Sequence, residues 1–100
     1  MEKMIYPISL IADKLQIDEV LSKRSNQEKF EALAGYLDGL IQSDFNRLLN
    51  ILYRIDVSEE KVKRALAENQ NKVPAGQVIA KLLIERETEK IKLRAKYSKE

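Results

Sequence analysis

The sequence contains no cysteine, histidine or tryptophan, and only three glycines and two prolines in 100 residues. Without cysteine there is no disulfide framework, zinc knuckle, iron–sulfur cluster or thiol nucleophile. Without histidine, Ser-His-Asp catalysis, an HExxH zinc helix and a Glu-x-x-His di-iron site are excluded. No apolar run approaches the roughly 18–20 residues that span a bilayer. The opening Met1-Glu2-Lys3-Met4-Ile5-Tyr6-Pro7 lacks both the basic and the long apolar regions of a secretory signal, so a cytoplasmic location is expected. No Gly-rich phosphate loop is present, because Gly35, Gly39 and Gly76 all fall within predicted helices. No cofactor, metal or small-molecule substrate is therefore expected, and neither is enzymatic activity.

What remains describes a helical domain. Apolar residues make up 44% and charged residues 34%, and the net charge is only +2, which fits one globular domain with a salt-rich surface. Abundant Leu, Ala, Lys and Glu favour helix over sheet. The predicted fold is all-α, a four- to five-helix bundle around a long central helix, with a protruding charged C-terminal helix.

Pro7 suits a first helical position, and Ile8, Ile11 and Leu15 follow at helical spacing. Ile17, Val20 and Leu21 form a second group, with Asp18 as candidate cap, so residues 7–22 read as one or two short helices. Ser25 and Glu28 make a capping box. Behind it, Phe30, Leu33, Ala34, Leu37, Leu40, Ile41, Phe45, Leu48, Leu52 and Ile55 keep one helical phase. Ser43 is a candidate cap for a new helix, but a break usually shifts the phase, so the continuity favours a single helix over about 26–54, bent if anywhere near Ser43. Asp56-Val57-Ser58 ends it. Ser58 caps a helix over about 59–69, with Glu59 and Glu60 on its first turn and a Val57–Val62 staple. Glu59–Lys63 and Glu60–Arg64 are spaced to support it as ion pairs. Asn69 to Val73 is a polar connection, and Pro74 opens a last helix running to about 96, about 34 Å long.

Four features are candidates for function. Ala32, Gly35, Gly39, Ser43 and Asn46 form a small-residue stripe opposite the apolar face of the long helix. Glycine costs about 1 kcal/mol relative to alanine inside a helix, so the stripe points to close approach of another helix, from this chain or from a second copy in a homodimer, with a merely solvated or bent helix as the remaining reading. The second feature is charge asymmetry. Residues 59–100 hold eleven basic and seven acidic side chains, and Lys90, Lys92, Arg94, Lys96 and Lys99 lie in a stretch without an acid. Such a stretch attracts nucleic acid or an acidic partner, or simply suits the carbonyl end of a solvated helix.

The third is the three-residue connection after Ile55, which has the length of a helix-turn-helix turn. It lacks glycine, and the helix behind it opens with Glu59-Glu60, which repels phosphate. Arg47, Tyr53, Arg54 and Asp56 read instead as one polar-aromatic group that bridges helix ends or lines a partner surface, with the structural role favoured. The fourth is Glu85 and Glu89, which share a helix face among Lys81, Arg86 and Lys90, an ordinary charged surface rather than a metal site.

The stretch DFNRLLNILYRIDVSEEKVKRALAEN (44–69), followed by VIAKLLIERETEK (78–90), resembles small uncharacterised all-helical bacterial proteins. The resemblance implies a helical fold and no particular activity. The expected function is a non-enzymatic protein-interaction or scaffolding module that binds a partner or itself, with nucleic-acid binding by the last helix as the alternative.

Overall fold

The computed structural model describes residues 7–98, and among these there are six helices and no strand. They are α1 (Pro7–Leu15), α2 (Asp18–Leu21), α3 (Asn26–Ser43), α4 (Phe45–Ile55), α5 (Glu59–Glu68) and α6 (Ala75–Ser98). The radius of gyration is 13.9 Å, close to the roughly 13 Å of a compact 100-residue domain. The longest dimension is 43 Å, and the 24 residues of α6 span about 36 Å.

The single helix expected over 26–54 is two helices. Asp44, at φ −155° and ψ 73°, ends α3 and begins α4; its amide donates to Leu40 O, and its carboxylate accepts from the Arg47 amide at 3.2 Å. A short acid competes well for backbone N–H groups outside a helix, which makes Asp44 a cap rather than an interior residue. Ser43, the expected bend, instead donates its hydroxyl to Gly39 O at 2.8 Å. The apolar phase survived because a one-residue hinge turns the axis without deleting a residue from the count. Its consequence appears at Phe45, placed on the buried stripe by the phase but 55% exposed.

The central element is accordingly α6 packed antiparallel on α3. Val78, Ile79, Ala80 and Leu83 are all buried, so the first half of α6 is apolar on more than one side, and it touches α1, α3, α4 and α5. Asp38 meets Gly76, and Phe30 and Ile84 line one shared depression, which fixes the antiparallel register. Leu33, Ala34, Leu37 and Leu40 form the facing stripe of α3.

The contact is close because of Gly76. A β-carbon there would collide with Ala34 O and lie 2.7 Å from Asp38 Cγ. The Gly76 amide, one of the unpaired donors at the start of α6, donates to Asp38 Oδ1 at 2.7 Å. Asp38 thus supplies from a different helix the cap that Pro74 cannot. Gly35 and Gly39, by contrast, are exposed with nothing within 4 Å of a built β-carbon. Among the described residues no other helix therefore packs on these two glycines, whereas Ala32 of the stripe packs against the core.

Of the other local signals, some are realised and some are not. Both halves of the Ser25–Glu28 capping box are present. Ser58 accepts from the Lys61 amide at 3.1 Å, and Val57 and Val62 are both buried. Asp18 does not cap α2; Ile17 occupies that position without a side-chain bond. Glu59–Lys63 and Glu60–Arg64 do not close as ion pairs, in keeping with the small gain exposed pairs offer.

Gly76→Ala is expected to lower unfolding stability by about 1–3 kcal/mol, since the colliding atom is backbone. Gly35→Ala and Gly39→Ala are each expected to raise it by about 0.5–1 kcal/mol. Urea unfolding of the three variants checks both signs.

Candidate functional site

The C-terminal half of α6 carries the basic stretch. Lys92, Arg94 and Lys96 are exposed, so this end does project, while Lys99 lies outside the described residues. Lys90 and Arg94 are not free cations. Each lies 3.9 Å from the carboxylate of Glu87, which Lys14 of α1 approaches to 2.6 Å. Glu87 is 0% exposed and is the only buried charged residue among those described. Its Oε2 takes the Lys14 bond, whereas Oε1 has no hydrogen-bond partner. The cluster ties α1 to α6 and draws two of the candidate nucleic-acid contacts towards the protein.

Glu85 and Glu89 are exposed on the same helix, and Glu89 accepts from Arg86 Nη1 at 3.1 Å. Arg86 also donates through Nη2 to Asp56 Oδ2 at 2.9 Å and through Nε to Asp56 O at 3.2 Å. The side-chain hydrogen bonds to Asp56 and then Glu89 raise the Arg86 pKa above its usual value, so this fork is permanently charged. Asp56 itself sits at φ 70°, a left-handed position that Asp tolerates better than most residues.

The expected grouping of Arg47, Tyr53, Arg54 and Asp56 is not formed. Asp56 turns to Arg86, and Arg47 Nε donates at 3.0 Å to the Tyr36 hydroxyl, a bond that raises the Arg47 pKa. Arg47 and Arg54 still line one shallow depression with Leu15, but Tyr53 is 75% exposed. The physical reason is the turn at Asp56, whose side chain leaves α4 for α6.

The hinge at Asp44 creates a different feature. α4 buries Leu48, Ile51, Leu52 and Ile55, and carries Phe45, Leu49 and Tyr53 at four-residue steps along an outer ridge. Phe45 and Tyr53 are exposed and Leu49 is half-buried. Beside this ridge runs an apolar groove of about 310 Å³, floored by Ile79 and Ala75 of α6 and walled by α4 and by Val62 and Leu66 of α5. Its polar lining is confined to Glu59 and Lys63. A second depression of about 220 Å³, lined by Tyr53, Asp56, Val57 and Ser58, continues it and shares Leu49, Leu52 and Glu59. α4 and α5 make few contacts with each other, which leaves the groove open between them.

Of the small-residue stripe, Gly35, Gly39, Ser43 and Asn46 are exposed and Ala32 is half-buried. Asn46 belongs to α4, so the stripe on one axis ends at Ser43. Ala32 and Gly35 border an open depression between α2 and α3 with Glu19, Lys23, Glu28, Glu31 and Tyr36. No helix among the described residues is long and apolar enough to cross a membrane. A comparison with protein-family models, with curated proteins and with solved structures finds no match.

Lys14→Met would leave the Glu87 carboxylate buried with cations no nearer than 3.9 Å. The expected loss is about 1–3 kcal/mol, discounted from a fully buried pair because Lys14 is partly exposed, against less than about 0.5 kcal/mol for Glu89→Gln. Thermal unfolding of both variants measures the difference.

Proposed function

We propose that the protein is a non-enzymatic helical interaction module that takes an amphipathic helix of a protein partner in the groove between α4 and α5. The observation that carries this reading is the exposed Phe45–Leu49–Tyr53 ridge beside an almost wholly apolar floor. Aromatic side chains exposed next to a desolvated pocket are the usual anchors of protein–protein contacts. Four-residue steps on α4 offer a ridge against which another helix packs, and two walls with a helical floor are completed by a third helix. The fitting occupant presents apolar residues at i, i+4 and i+7, a cation towards Glu59 and an acid towards Lys63. Charge at the groove mouth then sets orientation while apolar burial supplies affinity.

The probe is a 14-residue amphipathic Leu/Lys/Glu helix, compared with the same peptide carrying Gln at its apolar positions. Backbone amide shifts at Phe45, Leu49, Leu66 and Ile79 are expected with the first peptide only. The expected Kd is roughly 10–100 μM, weakened about tenfold or more by Leu49→Arg. Absence of shifts up to about 1 mM peptide contradicts the reading. So do shifts produced by a small aliphatic alcohol but not by the peptide, which assign the groove to a small apolar ligand.

A second reading, self-association through Ala32, Gly35 and Gly39, is favoured by the open space above both glycines. Two copies approaching there would offset the helix-propensity cost of those glycines. Sedimentation is expected to show a dimer whose association constant falls in Gly35→Leu with helicity retained; a wild-type protein monomeric at high concentration contradicts it.

A further inference from the structure

We propose that α5 is a hinged jaw of the groove, latched by Arg86 gripping Asp56, whose opening controls access to the floor formed by Ala75 and Ile79. The gating role rests on the groove reading above; the opening itself does not.

The asymmetry between the two walls carries the inference. α4 buries four large side chains, whereas α5 buries only Val62, with Ala65 and Leu66 half-covered. Seven of the ten α5 residues are exposed, and six of these are charged. Little apolar surface is therefore lost when α5 moves away, and elements with few buried contacts open at lower free energy than the global transition. Both ends of α5 are turns containing a left-handed residue, Asp56 at φ 70° and Asn71 at φ 65°. Such positions are where a chain absorbs a change of direction.

Beyond Val57, Val62 and the partly buried Leu66, the jaw is held closed by the Arg86 fork, which takes both the side chain and the backbone carbonyl of Asp56. Arg86 stands on α6, the helix that also floors the groove, so the latch fixes the start of α5 relative to that floor. A planar guanidinium reaching two acceptors of one residue fixes position in a way a lysine cannot. Releasing it raises the open population without touching α3 or the α3–α6 contact.

Amide hydrogen exchange on the full chain tests this. In the wild type, amides 63–68 are expected to exchange as a group at least about tenfold faster than the buried amides of α3 and of α6. Arg86→Gln is expected to accelerate that group by roughly three- to fivefold and leave α3 and α6 unchanged, with Arg86→Lys intermediate and Glu89→Gln without effect. Amides of α5 exchanging as slowly as those of α3 in the wild type, or a uniform acceleration of all helices in Arg86→Gln, would overturn the jaw. The amphipathic peptide is expected to associate faster with Arg86→Gln by a similar factor. Binding at an unchanged rate overturns the gating role. No binding to either protein overturns the groove reading and the gating with it, while exchange alone decides whether α5 opens.

Discussion

The close approach of α6 to α3 at Gly76 is the constraint from which the rest of the structure follows. Two helices that meet with a glycine amide against a carboxylate and a glycine α-carbon against a backbone carbonyl have little freedom to slide. Asp38 replaces a local cap and so makes the start of α6 depend on α3 being in place. Once that register is set, Leu33, Leu37, Ile79 and Leu83 close the core, and α1 and α2 cover it on one side. The Lys14–Glu87 pair then ties α1 to the far part of α6.

The open side of the molecule is the counterpart of that centre. α3 ends at Asp44, and the turn there takes α4 off the line of the α3 stripe, so that Phe45 emerges while Leu48 and Leu52 stay inside. α5 returns beside α6 as a charged helix with a single buried valine. The two outer helices lean on α6 more than on each other, and a groove results. The chain fills its core where helices meet closely and leaves apolar surface exposed where they do not; that exposed surface is the proposed docking site. In the proposed reading the α3–α6 pair is the rigid platform and the lightly held α5 the adaptable wall.

Several local interactions were legible in the sequence, although the Asp18 cap did not form and the Asp44 cap was not foreseen, and the distant ones were not legible. Ser25 with Glu28, Ser58, and Val57 with Val62 act over three to five residues, and each forms as its spacing implies. The break at Asp44 escaped because hydrophobic phase counts residues and does not see the direction of the axis. Gly35 and Gly39 drew attention as a repeat, while the glycine that a neighbour requires is Gly76, whose partner Asp38 is 38 positions away. Glu87 looked like one more acid between Glu85 and Glu89 until α1 folded over it. The groove was hidden for the same reason: Phe45, Leu66 and Ile79 come together only after the Asp44 turn has been made. The four-residue spacing Phe45–Leu49–Tyr53 is the signal present in the chain from which an outer ridge can be read.

The most direct measurement is the set of proton–proton Overhauser contacts of Gly76 in the full chain. Strong cross-peaks from the Gly76 amide and α protons to Asp38 and Ala34 are expected, with no long-range cross-peaks within the monomer to the α protons of Gly35 or Gly39. Cross-peaks from Gly35 and Gly39 to another helix of the same chain, with none between Gly76 and α3, would contradict the central contact and with it the groove and jaw that depend on it.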